Sequence, residues 1–145
     1  MSVGGRSCGS LMAMDTASRE SLVQALGDEE DVVAAWVYGS VASGSAQPSS
    51  DLDLAIVGTQ PFTIERLVDL ATLVGRVAGR EIDIVDLFAV HGALLEQVMI
   101  RGTRLFCRQT SVYEALVVRL VYDEADFMPL YRRLLRERRD AFLHD

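Results

Sequence analysis

Apolar and polar positions alternate along this chain with two periods, and the changes of period mark its elements. Residues 32–38 are rich in branched and aromatic side chains and predict a first strand. Residues 52–57 predict a second, in which Leu52, Leu54 and Ile56 share one face while Asp51 and Asp53 share the other. Residues 81–87 predict a third, alternating through its first four residues, with Ile82 and Ile84 on one side and Glu81, Asp83 and Val85 on the opposite side. A short edge strand or extended segment is expected over 102–107.

Helical spacing fills the intervals. A helix over 17–26 has Asp15 or Thr16 available as its cap, Leu22, Val23 and Leu26 as its buried side, and Gly27 to end it. Thr63 opens a second whose apolar face runs from Ile64 through Leu70 to Val74 and stops at Gly79. Further helices are expected over 91–100, 111–121 and 129–142, the last opened by Pro129, and a short one over 41–45 before a turn at 46–50. Strands separated by helices make one α/β domain, a mixed sheet flanked by helices with one carboxylate-bearing face left open. Trp36 reads as sheet packing, and His91 as a helix-start residue.

Composition narrows the possibilities. Half of the 145 residues are hydrophobic, enough for one packed domain and too few for two ordinary ones. The domain is expected over 16–145 with its carboxy-terminal helices, behind a flexible leader at 1–15 that lacks a signal peptide's sustained apolar run. With 21 acidic against 14 basic residues the formal charge is -7, which argues against an extended nucleic-acid surface. No run has a membrane helix's length, and two cysteines are too few for a disulfide framework, so a cytoplasmic location is expected.

Chemistry concentrates between residues 38 and 57. Gly39 and Ser40 follow the first strand and open a small-residue segment, a turn whose amides and hydroxyl suit a phosphate. Asp51 and Asp53 follow on one strand face. Asp83 is a third carboxylate in an otherwise apolar stretch, where a lone acid is costly unless paired or metal-bound. If the two strands are neighbours the acids converge, and oxygen-only ligands of that kind suit Mg²⁺.

Gly39-Ser40, Gly44, Ser50-Asp51-Leu52-Asp53-Leu54 and Asp83 in Glu81 to Asp86 together resemble the nucleotidyltransferase signature of the DNA polymerase beta superfamily. The resemblance is greatest to the minimal nucleotidyltransferases, and among them to the antitoxins paired with HEPN-domain toxins. It implies a nucleotidyltransferase-like fold with Asp51, Asp53 and Asp83 as catalytic metal ligands and with Gly39, Ser40, Asp51 and Asp53 holding the nucleotide. It also implies two Mg²⁺ ions, ATP as donor, and transfer of AMP to a protein hydroxyl, the tyrosine of a cognate HEPN toxin. A small hydroxylated acceptor such as an aminoglycoside, and an antitoxin that neutralises by binding alone, remain the alternatives. Family members often carry basic residues just after the Gly-Ser pair, but here stand Val41 and Ser43; Arg76, Arg80 or a carboxy-terminal arginine is expected to offset the triphosphate instead. The stripe Val112, Leu116 and Leu120 beside the arginine-rich last helix is expected to help dock the partner or a second subunit, unless the domain's own core consumes it.

Overall fold

The computed structural model describes residues 15–39, 51–123 and 133–138. Expectations for the leader at 1–14, for Ser40, for the helix at 41–45, for the turn at 46–50 and for most of the last helix lie outside those residues. Element order is α1 (Thr16–Gly27), β1 (Ala34–Tyr38), β2 (Leu52–Val57), α2 (Ile64–Ala78), β3 (Ile82–Asp86), a 3₁₀ turn (Leu87–Ala89), α3 (Gly92–Glu96), a π turn (Gln97–Arg101), β4 (Thr103–Cys107) and α4 (Thr110–Asp123). Residues 133–138 are also helical.

The sheet order is β3-β2-β1-β4. β1 lies antiparallel to both neighbours, whereas β2 and β3 are parallel and joined by α2 as a crossover, so the sheet is mixed. Sequence alternation sorts its two faces. Leu52, Leu54 and Ile56 join Leu22, Leu26, Leu70 and Val74 in one core beneath α1 and α2. Trp36, Tyr38, Ala55 and Val57 face a second core with Leu95, Val98, Leu116 and Leu120 from the other helices.

Helix ends follow the chemistry of their residues. The Asp15 carboxylate accepts from the Ser18 N–H at 2.8 Å, so Asp15 is the cap of α1. Thr63 accepts from Arg66 N at 3.1 Å, and Gly79 closes α2 at φ 67°, donating to the Gly75 carbonyl. Arg108, the residue just after β4, donates to the carbonyls of Leu26, Gly27 and Glu29 and so clasps the end of α1 to the end of that strand.

Two expectations need correction. The helix expected over 91–100 is a short α-helix that widens into a π turn at Gln97–Arg101. Gly102 then passes so close to the preceding turn that a Cβ there would lie 2.4 Å from the Val98 carbonyl oxygen. The stripe Val112, Leu116 and Leu120 is consumed by the second core: Leu116 and Leu120 are buried and Val112 packs against them. The outward apolar residues of α4 are Val118 and Tyr122 instead, because α4 turns its other side to the sheet.

Candidate functional site

Sheet register builds the site in one row. Tyr38 on β1 is paired with Asp53 on β2, and Asp53 is paired with Asp83 on β3. Since paired residues point to the same face, the phenol and both carboxylates stand on the side that carries the second core, at its open end. Burial falls along the row: Tyr38 is 6% exposed, Asp53 half-buried and Asp83 exposed. Asp51 is exposed just before β2 begins.

Asp53 is the electrostatic centre. Burial pushes its carboxyl up, the charges of Asp83 and Asp51 push it further, and hydrogen bonding with Asp83 acts in the same direction. Tyr38 feels the same field: burial first, then the Asp53 and Asp83 charges, push its phenol up to about 12. It stays a neutral hydroxyl at physiological pH. The sequence reading missed Tyr38 as a neighbour of the site, although its place just before Gly39 and in phase with Trp36 was the available signal.

Gly39 continues the row into the turn. Its φ is 75°, and a Cβ built on it would lie 2.1 Å from Asp53 Oδ2. The backbone and the carboxylate therefore meet with no side chain between them. Ser40, the other half of the expected phosphate turn, lies outside the described residues.

Asp51 influences Asp53, but the tight pair is Asp53 with Asp83. Among the described residues no group of three or more His, Cys, Asp or Glu side chains is placed to hold one metal ion. Other acids have structural work. Asp86 accepts from the Phe62 and Phe88 N–H groups at 2.8 and 2.9 Å, and Asp31 pairs with Arg66, whose hydrogen bond holds the Asp31 carboxyl below its usual range. His91, the residue before α3, contacts Asp123 through Nδ1 at 2.8 Å, which agrees with a helix-start role. Trp36 is 2% exposed and packs in the core as expected.

The field around Asp53 sets a pH dependence. A carboxyl whose pKa is raised by folding contributes stability that is present below the unfolded value, about 3.9, and is lost as pH rises through the folded value. Without divalent ions, Asp53→Asn is expected to match wild type near pH 3.5 and to become the more stable protein as pH rises toward neutrality. Denaturant midpoints of both proteins across that range check it; a constant difference would contradict the site's charge crowding.

The profile of the polymerase beta nucleotidyltransferase family matches residues 20–111, which include the whole row from Tyr38 to Asp83. Among curated proteins, no sequence matches the chain. Solved structures share its fold. A chain of a toxin–antitoxin crystal structure with AMP-PNP superposes at TM-score 0.61 with 21% identity, covering 86% of this chain and 94% of that one. A chain of the complex of tri-AMPylated Shewanella oneidensis HEPN toxin with MNT antitoxin superposes at 0.58 with 19% identity, covering 89% and 96%. A structure described as a minimal nucleotidyltransferase gives 0.51 with 31% identity over 59% of this chain and 87% of its own. With the profile spanning β1 to β4 and the paired acids lying inside it, the chain belongs to the polymerase beta nucleotidyltransferase family.

Proposed function

We propose that this protein is a Mg²⁺-dependent nucleotidyltransferase that moves AMP from ATP to a hydroxyl of a partner protein, the acceptor being a tyrosine of a cognate HEPN toxin, and so acts as an antitoxin. The observation that carries the reading is the pairing of Asp53 with Asp83 directly beside Gly39, in a field where every contribution raises the Asp53 carboxyl. Family membership supplies the reaction class. The similarity in fold to chains of complexes containing AMP-PNP and an AMPylated HEPN toxin supports the donor and partner.

The donor set fits the metal. Asp53 and Asp83 offer hard carboxylate oxygens side by side, and like charges so close are relieved by a cation. Asp51, Asp53 and Asp83 would hold Mg²⁺, which supplies charge neutralisation at the triphosphate and at the attacking oxygen. The acceptor hydroxyl oxygen forms a bond to the α-phosphorus while the bond to the oxygen bridging the α- and β-phosphates breaks, and pyrophosphate leaves. Asp83, the most exposed of the paired acids, receives the hydroxyl proton. Asp51 and Asp53 orient the triphosphate, and Gly39 with Ser40 forms the turn that receives its oxygens; at Gly39 the absent side chain admits a close approach. Residues 16–145 would form this single domain behind a leader at 1–15, working in the cytoplasm. Among the described residues no helix is long and apolar enough to cross a membrane.

Reconstitution with a candidate HEPN toxin partner, ATP and Mg²⁺, followed by intact-mass measurement of both chains, tests the proposal. The toxin is expected to gain AMP units as pyrophosphate appears. Neutralisation of the toxin with no mass change in either chain would favour binding alone, and transfer to a small hydroxylated compound with none to the toxin would favour the other enzyme reading.

A further inference from the structure

We infer that Arg101 is the cation that meets the triphosphate beside Gly39 at the end of β1. This rests on the nucleotidyl-transfer reading above and names the charge partner that the sequence leaves open, since Val41 and Ser43 occupy the positions after Gly39-Ser40. Two carboxylates already stand in the row with Asp51 just before it, and a triphosphate adds more negative charge. A fixed cation on the same face would strengthen nucleotide binding beyond the neutralisation that Mg²⁺ supplies.

Placement singles out Arg101. It ends the π turn, whose Val98 is buried in the second core, on the sheet face that bears Asp53 and Asp83. The next residue, Gly102, is pressed against the end of β1: a Cβ on it would lie 3.0 Å from the Val37 carbonyl oxygen and 3.2 Å from the Tyr38 Cβ. Thr103 is then paired with Val37. The backbone at Arg101 thus lies one residue from the end of β1, held by the Gly102 N–H to the Val98 carbonyl at 3.1 Å on one side and by the β4 ladder on the other. A π turn at such a junction is a frequent device of functional sites.

The charge of Arg101 is also uncommitted. Its side chain is exposed and has no ion pair or hydrogen bond among the described residues. By contrast, Arg66 binds Glu29 and Asp31, Arg119 binds the Leu87 and Val90 carbonyls, and Arg133 binds Glu96. Arg76 lies in the last turn of α2, whose Leu70 and Val74 pack beneath the opposite face of the sheet, and Arg80 already has a partner.

The test measures affinities of the full chain for Mg²⁺-ATP, Mg²⁺-ADP and AMP in wild type, Arg101→Ala, Arg101→Lys and Arg76→Ala. Loss of a charge-assisted phosphate contact predicts about tenfold weaker ATP binding in Arg101→Ala, with less than about twofold change for AMP and partial recovery in Arg101→Lys. Arg76→Ala should stay within about twofold of wild type throughout. Unchanged ATP affinity in Arg101→Ala, an equal loss for AMP and ATP, or a tenfold loss in Arg76→Ala alone would overturn the assignment while leaving nucleotide transfer standing. A wild-type protein that binds no nucleotide would overturn the transfer reading and this inference with it.

Discussion

Asp53→Asn is expected to lower AMP transfer to the partner by about a thousandfold or more while leaving the protein folded and able to form the complex. Asparagine keeps the size of the side chain but removes the charge at the centre of the row, where Tyr38, Asp53 and Asp83 are paired across three strands. The apoprotein does not suffer, because the lost charge is one that burial, Asp83 and Asp51 all disfavour. Function suffers because that disfavoured charge is what would hold the cation on the triphosphate. Intact mass of the partner after timed incubation with ATP and Mg²⁺ gives the rate, and co-purification gives the complex. Asp83→Asn should divide the effects differently, lowering the rate more than Mg²⁺-ATP affinity, as its proposed role of taking the acceptor's proton requires. Transfer by Asp53→Asn at the wild-type rate would remove this row from the chemistry.

Gly39→Ala is expected to weaken Mg²⁺-ATP binding by at least about tenfold and to destabilise the fold by about 1–2 kcal/mol from the left-handed backbone alone. Two causes act at this position. At φ 75° an L side chain is strained, and the added methyl would occupy the space 2.1 Å from Asp53 Oδ2, so the carboxylate must move. Gly79→Ala separates them. Gly79 has φ 67° with nothing within 4 Å of a Cβ, so alanine there carries the same backbone cost without touching the site. Thermal or denaturant midpoints should fall in both variants, further in Gly39→Ala where the Asp53 carboxylate must also move, and nucleotide affinity should fall only in Gly39→Ala. Similar affinity loss in both would mean that general destabilisation, rather than the Gly39–Asp53 contact, governs binding.

Much of this arrangement was legible because strand periodicity is a local property. Leu52, Leu54 and Ile56 had to share a face, which put Asp51 and Asp53 together opposite them, and the second strand falls at Leu52–Val57 as its pattern predicts. Helix ends were legible for the same reason: Thr63 and Gly79 act on backbone groups within a few residues of themselves. The acid on a later strand was visible as Asp83, because an ionisable residue among branched apolar ones needs a partner.

What the sequence determined by itself was therefore the alternation, the caps and the residue types of the site. Tertiary structure alone decided which residues meet. Only the β3-β2-β1-β4 order and its register align Asp83 with Asp53 and Asp53 with Tyr38, and place Asp51 outside the tight pair. Only packing decided that Leu116 and Leu120 belong to the core while Val118 and Tyr122 face outward, since a helix apolar on several sides does not declare which side the sheet will cover. The π turn that ends at Arg101 and brings Gly102 against the end of β1 had no local signal either. It arises where the chain must pass from a helix into the ladder of β4 with Val98 still buried, a demand set by contacts between residues distant in sequence.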